Sequence, residues 1–379
     1  MSKKPKTSAI SLGNAAMKVK TASAGAAPSA TLRDAAHNSG PHRESSTLKD
    51  VARVAGVSVG TVSRVINRHP RVTEAMKRRV DAAIAALGFE PDPIAQSMRS
   101  GQTNSFACIV RDFAVPVLST FVDSMQNEVD GQEFCLFVAS SYHNLTREIS
   151  LFNKFSRRRV DGIVIATSTE ADHKLLDLLE KSTIPIVLLD RKLPEALDAV
   201  LVDHRAGMHQ ALDYLIRLGH ARIAIISGQD SVHPVRDRLQ CYREVLQSNG
   251  IAIDPELIRL GSFGIDFGYS EAMQLLGAPN PPTAIIAGGT SLLPGVLRAV
   301  RDRGLRIPGD VSIISGADSE LALLHSPAVT AIHWEHGQAG VAAARFLLNR
   351  LRTPGHRLQR MIFPSNLIIR DSCGPAPRR

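Results

Sequence analysis

Apolar residues along this chain follow two periods, and the period changes near residue 104. Between Thr47 and Leu87 they recur every three or four positions. Leu48, Val51, Ala52 and Ala55 mark one face of a first helix, with Thr47 as its N-cap. Gly56 supplies a turn, and Ser58 caps a second helix, VSVGTVSRVIN at 57–67. In that run Val59, Val62 and Ile66 form the apolar stripe, while Thr61, Ser63, Arg64 and Asn67 face away from it. A third helix is predicted from Thr73 to Leu87, with Met76, Val80, Ala83, Ile84 and Leu87 inward and Gly88 closing it. Two helices joined by a tight glycine turn, then a third that completes the core, make a helix-turn-helix unit. In such a unit the second helix enters the major groove of DNA.

Beyond Gly101 short apolar runs alternate with helical patterns. The runs are 106–110, 134–139, 160–166, 184–189, 222–226, 283–287 and 311–315. Apolar strands separated by amphipathic helices predict parallel sheets covered on both faces, and the number of runs suits two lobes rather than one. The expected fold class is therefore α/β, a three-helix helix-turn-helix domain followed by a two-lobed body of doubly wound parallel sheets. Ligands of such bodies bind outside the carboxyl ends of the strands, in the cleft between the lobes.

Composition adjusts this picture at the N-terminus. Residues 1–46 are rich in Ala, Ser, Thr and Lys and carry few large apolar side chains, so they read as a disordered basic arm. Its lysines (Lys3, Lys4, Lys6, Lys18 and Lys20) are either weak nucleic-acid contacts or part of a solvated tail. The chain carries a net charge of +9. Between 47 and 101 basic residues outnumber acidic ones, as a duplex-facing module requires. No apolar leader follows the first lysines and no run approaches the ~18 apolar residues of a membrane span, so the expected location is the cytoplasm and no membrane partner is expected. Cys108, Cys135, Cys241 and Cys373 are far apart and read as reduced thiols.

The chemistry-bearing candidates sit after the strands. Arg111 and Asp112 follow the first run, Asp190 and Arg191 end the fourth, Arg236 and Arg238 lie in VRDRLQCY, and Asp318 ends SIISGAD. Asp190 with Arg191 reads equally as a local pair or as pocket groups. His333 and His336 flank Trp334 and Glu335, but a third ligand at sensible spacing is missing, so no metal is expected. Trp334 and His336 are expected to border the cleft instead. No Walker A, G-x-G-x-x-G, G-x-S-x-G or HExxH motif is present, and no cofactor is expected.

The run TLKDVARVAGVSVGTVSRVINRHPRVTEAMKRRVDAAIAALGFEPDPIAQSM closely resembles the DNA-binding head of the lactose-repressor (LacI/GalR) family, and the likeness continues to Cys373. It implies a sequence-specific transcriptional regulator, a repressor by preference, that binds a palindromic double-stranded operator as a homodimer. Operator binding would be controlled by a small carbohydrate or sugar-acid effector in the cleft. Within the motif, Val59 and Gly60 occupy the positions that help choose the operator. Arg64 has the fork that suits guanine. Ser58, Thr61, Ser63 and Asn67 hold phosphates, and Thr47 and Leu48 open the contact region. Residues 92–100, capped by Asp92 with Pro93 in the first turn, match the family's hinge helix, which wedges an apolar side chain into the minor groove. Met98 stands at the wedge position, where leucine is common, and Ala95 allows close hinge contact.

In the body, the resemblance makes Arg238 the arginine that clamps the effector and Asp318 an acceptor of its hydroxyls. Phe263 matches a stacking position, and Val117 replaces the usual aromatic of the first lobe. Gly289 and Thr290 replace an Asn-Asp pair, which argues against an ordinary neutral sugar. Asp112, Asp190, Thr290, Trp334 and His336 complete the expected effector site. The expected organisation is arm 1–46, helix-turn-helix 47–91, hinge and linker 92–103, two-lobed body 104–372 and tail 373–379. Two competing classes are a cytoplasmic enzyme acting on a phosphorylated sugar and a pure solute-binding protein; the DNA-binding head opposes the second.

Overall fold

The computed structural model describes residues 46–66, 69–90, 101–113, 115–353 and 355–378. The expected arm up to residue 45, the hinge helix over 92–100, and the site residues Asn67, Ala95 and Met98 lie outside the described residues. The chain divides after Glu90 into a helical unit and a larger α/β unit.

The helical unit contains α1 (Leu48–Ala55), α2 (Val59–Ile66) and α3 (Glu74–Leu87). A capping box starts α1: the Asp50 amide donates to Thr47 Oγ1 at 3.3 Å, and the Thr47 amide donates to Asp50 Oδ2 at 3.0 Å. Gly56 ends α1 at φ +62°, and a Cβ there would meet the Arg79 guanidinium at 2.6 Å. Arg79 uses that space to donate to the Ala55 and Gly56 carbonyls at 2.6 and 2.9 Å, which fastens α3 to the end of α1. The core comprises Val51, Ala52, Ala55, Val62, Val65, Val80, Ala83 and Phe89.

Two expectations for this core are corrected. Val59 is exposed, and Val65 takes its place in the core. At about 100° per residue, Val62 and Val65 straddle the inward direction, while Val59 and Ile66 fall to one side of it. Met76 is also exposed, because it lies on the apolar stripe of α3 but in its opening turn, where the helix overhangs the core.

In the α/β unit, the first lobe is built on β1 (Ser105–Val110), β2 (Cys135–Ser140), β3 (Gly162–Ile165), β4 (Ile186–Leu189), β5 (Asp198–Asp203) and β11 (Arg360–Pro364). Their order is β11-β5-β4-β3-β1-β2, and every pair is parallel. The covering helices are α4 (Pro116–Asp130), α5 (Leu145–Arg157), α6 (His173–Glu180) and α12 (His336–Arg352). The second lobe uses β6 (Ile223–Gly228), β7 (Ile258–Gly261), β8 (Ala284–Ala287), β9 (Ser312–Ser315), β10 (Thr330–His333) and β12 (Asn366–Ile368). Its order is β12-β10-β9-β8-β6-β7, parallel except for the antiparallel β10–β12 pair. Its helices are α7 (His204–Arg217), α8 (His233–Ser248), α9 (Ile265–Leu276), α10 (Leu293–Asp302) and the short α11 (Glu320–Leu324). Each sheet is buried on both faces, as its Val- and Ile-rich strands require. No helix among the described residues is long and apolar enough to cross a membrane.

The chain passes between the lobes three times, at Asp203–His204, at His333–His336 and at Pro364–Asn366. After the second passage α12 returns to pack on α4 so closely that a Cβ on Gly340 would lie 2.2 Å from the Phe121 carbonyl oxygen. Buried Ser365 bolts two passages together: its Oγ accepts from the Gly207 amide at 2.9 Å and donates to the Asp203 carbonyl.

Candidate functional site

Two surfaces carry the candidate residues. On the helical unit, α2 begins with a polar pair: Ser58 Oγ accepts from the Thr61 amide at 3.1 Å and lies 2.9 Å from Thr61 Oγ1. Val59, Gly60 and Arg64 are exposed on this helix, and Ser63 is half-buried. Thr47 is occupied in the α1 capping box, and Leu48 packs against the core. The sequence groups them with the contact residues; the structure shows that both also build the helix that supports α2.

The second surface is a cavity of about 470 Å³ lined from both lobes. It opens where each strand order reverses, between β1 and β3 in one lobe and between β6 and β8 in the other. The loops after those strands cannot pair with each other, so their polar groups are left facing the cleft. Asp112, Val117, Asp190, Arg238, Phe263, Thr290, Trp334 and His336 all line it. Asp318 does not. Both of its carboxylate oxygens are taken by Arg370, at 2.8 and 2.9 Å, so its expected role with effector hydroxyls is corrected to that of an ion-pair partner.

Arg238 is buried on α8 and gathers the second lobe's strand ends. It donates to the Gly288 carbonyl at 3.1 Å and to the Gly316 carbonyl at 3.4 Å. Its Nη2 also lies 3.0 Å from Nδ1 of buried His204. An arginine has only donors, so Nδ1 must accept and the imidazole proton resides on Nε2. That proton points at the Asp190 carboxylate, 2.9 and 3.0 Å away. Asp190, His204 and Arg238 thus form one relay that spans the first passage between the lobes. Burial first, and Arg238 as well, hold His204 below the ordinary histidine value, against the pull of Asp190. Burial favours the neutral form of Asp190, but the His204 imidazole and the Arg191 guanidinium outweigh it, and its carboxyl sits well below the usual range.

Phe263 reaches from the β7–α9 loop towards the first lobe. The Arg111 guanidinium lies 4.6 Å over its ring, and the His143 ring is stacked at 6.2 Å. A Cβ on Gly228 would meet this phenyl ring at 2.1 Å, and one on Gly289 at 2.9 Å. Glycines at 228 and 289 both leave room for the Phe263 ring, Gly228 the more closely. On the other wall Trp334 and His336 lie with ring centroids 3.8 Å apart.

Sequence reasoning missed His143 and His204 as site residues, and it named Arg111 without placing it in the site. The available signal was position: His204 directly follows β5, and His143 lies in the loop after β2. Glu170 was missed as well. Its buried carboxylate accepts from the Lys192 and Leu193 amides at 2.6 and 2.9 Å and from Arg236 at 2.7 Å. It also takes the His233 amide at the start of α8, which latches the first lobe to a helix N-terminus of the second.

The buried histidines set a pH dependence. Burial, together with His333, pushes His336 down to about 4, and burial also lowers His204 and His220. These groups take up protons in the unfolded chain near pH 6.5 but not in the folded one, so their stabilisation is complete above that pH and is lost as pH falls. Burial raises Glu148 to about 7, and this contribution runs the other way, being lost as pH rises towards 7. The histidines outnumber it. Thermal melts should show the body's Tm falling between pH 6.5 and 4.5. His336 alone is worth on the order of 3 kcal/mol once both states lie below their pKa values. His336→Gln should flatten the slope; an unchanged slope would remove His336 from this account.

Comparison with known proteins matches segments of both units. Residues 47–92 match the family described as bacterial regulatory proteins, lacI family, and residues 212–373 match a periplasmic binding protein-like domain. The HTH-type transcriptional regulator DegA of Bacillus subtilis (strain 168) is 30% identical over 332 residues, covering 87% of this chain and 98% of that protein. The HTH-type transcriptional repressor PurR of Serratia proteamaculans (strain 568) is 31% identical over 333 residues, with the same coverage. Among solved structures, a lac repressor dimer bound to operator and the anti-inducer ONPF superposes with a TM-score of 0.76 at 26% identity, covering 87% of this chain and 99% of that one. A complex of the transcriptional regulator CelR with cellobiose gives 0.65 at 30% identity, covering 86% and 99%. With regulators as its relatives, the reading as an enzyme on a phosphorylated sugar is set aside. The chain belongs to the lacI family of bacterial regulatory proteins, and it is a DNA-binding transcriptional regulator.

Proposed function

We propose that this protein is a cytoplasmic repressor that binds a palindromic operator as a homodimer and changes its affinity when a small carbohydrate or sugar-acid effector enters the cleft. One observation carries the reading: the cavity is lined from both lobes, which three chain passages join. A ligand that touches both walls favours one lobe arrangement over another, and that preference is the free energy available for switching. The cellobiose complex of CelR and the operator-bound lac repressor dimer support the ligand and the DNA arms of the proposal.

On DNA, Val59, Gly60 and Arg64 read base edges, while Ser58, Thr61, Ser63 and Asn67 hold phosphates. By the family resemblance, Ala95 and Met98, outside the described residues, contact the minor groove. The test is selection of operators from a randomised duplex library with the full chain. We expect a palindrome with a flexible pyrimidine–purine step at its centre. Met98→Ala should then reduce bending and specific affinity while non-specific binding stays within about twofold, since phosphate contacts set the latter. Selected sites without two-fold symmetry would overturn the dimeric reading, and an unchanged bend would remove Met98 from the wedge.

A further inference from the structure

The cavity's hydrogen-bonding inventory leans towards donors. A neutral sugar presents hydroxyls that both donate and accept, so a site built for it needs free acceptors, usually carboxylates. Of the carboxylates that line the cavity, Asp266, exposed in the first turn of α9, is open to a ligand, while Asp190 and Asp112 are engaged. Both Asp190 oxygens face the His204 imidazole, and Asp112 has a partner of its own.

The donors are in the opposite condition. Arg191 is 1% exposed; its Nε and Nη1 donate to the Thr167 and Asp190 carbonyls, and its Nη2 has no acceptor among the described residues. Arg238 is 6% exposed, and its Nε is likewise without an acceptor. Arg111, lying over Phe263, makes no side-chain hydrogen bond among the described residues. A buried donor left without an acceptor is costly, and a ligand that supplies acceptors removes that cost.

The charges agree with this inventory. Burial, then the neighbouring Arg191, and also Arg238 bring Arg111 down to about 9, against the pull of Asp190 and Asp112. Burial and Arg111 bring His143 down to about 4. Around Arg111 the cleft therefore resists additional positive charge.

We propose that the effector carries an anionic group, a carboxylate or a phosphate, and that Arg111, lying over the Phe263 ring, is the side chain that receives it. The inference rests on the reading of the cavity as the effector site. The planar guanidinium presents paired donors that match either anion, and the phenyl ring beneath holds the fork in place. Phe263 also explains how the preference is built. The glycines at 228 and 289 admit its ring, so the space that a polar side chain would use to accept sugar hydroxyls is filled by an aromatic support for a cation.

Two matched sets of probes test this on the full chain: D-glucose, D-gluconate and D-glucose 6-phosphate, and D-ribose, D-ribonate and D-ribose 5-phosphate. Binding is read by Trp334 fluorescence and by thermal shift, and operator affinity is read separately by anisotropy. In at least one set an anionic member should bind ten or more times tighter than its neutral parent, and the better arm distinguishes carboxylate from phosphate. Arg111→Gln should erase that advantage without lowering Tm, while Arg111→Lys keeps part of it. Anions that bind no better than the parents, anions that fail to bind, or an advantage that survives Arg111→Gln would each overturn the proposal. An anion that binds but leaves operator affinity unchanged sustains the charge assignment and overturns the effector reading. A neutral sugar that alone releases the operator does the reverse.

Discussion

Arg238→Met should yield a protein that still binds its operator but no longer responds to its effector. The side chain is buried in α8 and does two jobs. Its Nη atoms hold the Gly288 and Gly316 carbonyls and the His204 ring, its Nε has no acceptor among the described residues, and the side chain lines the cavity. Through His204 it is joined to Asp190 in the other lobe, so a ligand pulling on Arg238 is felt across the first passage between lobes. A charge-assisted hydrogen bond contributes ~1.5–3 kcal/mol, whereas a tenfold shift in the DNA-bound population needs a preference of only about 1.4 kcal/mol. Losing the contact is therefore enough to silence the switch. Methionine fills similar volume but leaves two carbonyls and an imidazole without their donor, costing about 3 kcal/mol and roughly 6–12 °C in the body's Tm. Operator binding by anisotropy, with and without ligand, and a thermal melt check both parts. A variant that keeps a normal ligand response would remove Arg238 from the effector site.

Six of the seven apolar runs became strands buried on both faces, where β-branched side chains pack well, while the seventh, β2, is a half-exposed edge strand. The strands that periodicity left out have other causes. Asp198–Asp203 carries a carboxylate at each end, and buried Asp198 is held by Arg350 from α12, far along the chain. Ile258–Gly261 and Arg360–Pro364 are half-exposed edge strands of mixed polarity, and partners elsewhere in the sequence create them. The return of α12 to the first lobe depends on Gly340 meeting the Phe121 backbone, a contact between distant segments that no local pattern contains.

The site divides along similar lines. Asp112, Asp190 and His336 were legible because polar residues just beyond strand ends must face the cleft of a doubly wound body. Resemblance supplied Val117, Arg238 and Phe263, which all line the cavity. Asp318 also ends a strand, yet Arg370, 52 residues later, consumes it. That pairing cannot be read from the sequence near either residue. Gly289 was legible as a departure from the family pattern; only the structure shows that its missing side chain is the space taken by Phe263.

On the DNA side, Arg64→Ala and Gly60→Ala should separate recognition from stability. Gly60 sits in α2 although the unit's own packing does not ask for it: a Cβ there would meet only Ser58 Oγ, at an ordinary 3.8 Å. Alanine should therefore improve helix propensity by up to about 1 kcal/mol and raise the melting temperature of the helical unit. The same methyl group would occupy the exposed face beside Val59 and Arg64, where a glycine lets the duplex approach closely. Gly60→Ala should thus be more stable and yet weaker on the cognate operator. Arg64→Ala behaves differently, since it removes an exposed fork with no structural duty among the described contacts. Its stability should stay within ~0.5 kcal/mol of the parent, as for a surface substitution. Affinity for the cognate site should fall by ~1–3 kcal/mol, with preference relaxed at one base pair per half-site. Binding to scrambled duplex should change far less, because phosphate contacts from other side chains dominate there. Anisotropy titrations of both variants on cognate, single-mismatch and scrambled duplexes, beside thermal melts, read all four quantities. If Arg64→Ala weakens cognate and scrambled duplexes equally, Arg64 holds a phosphate and the base-reading role passes to the residues beside it.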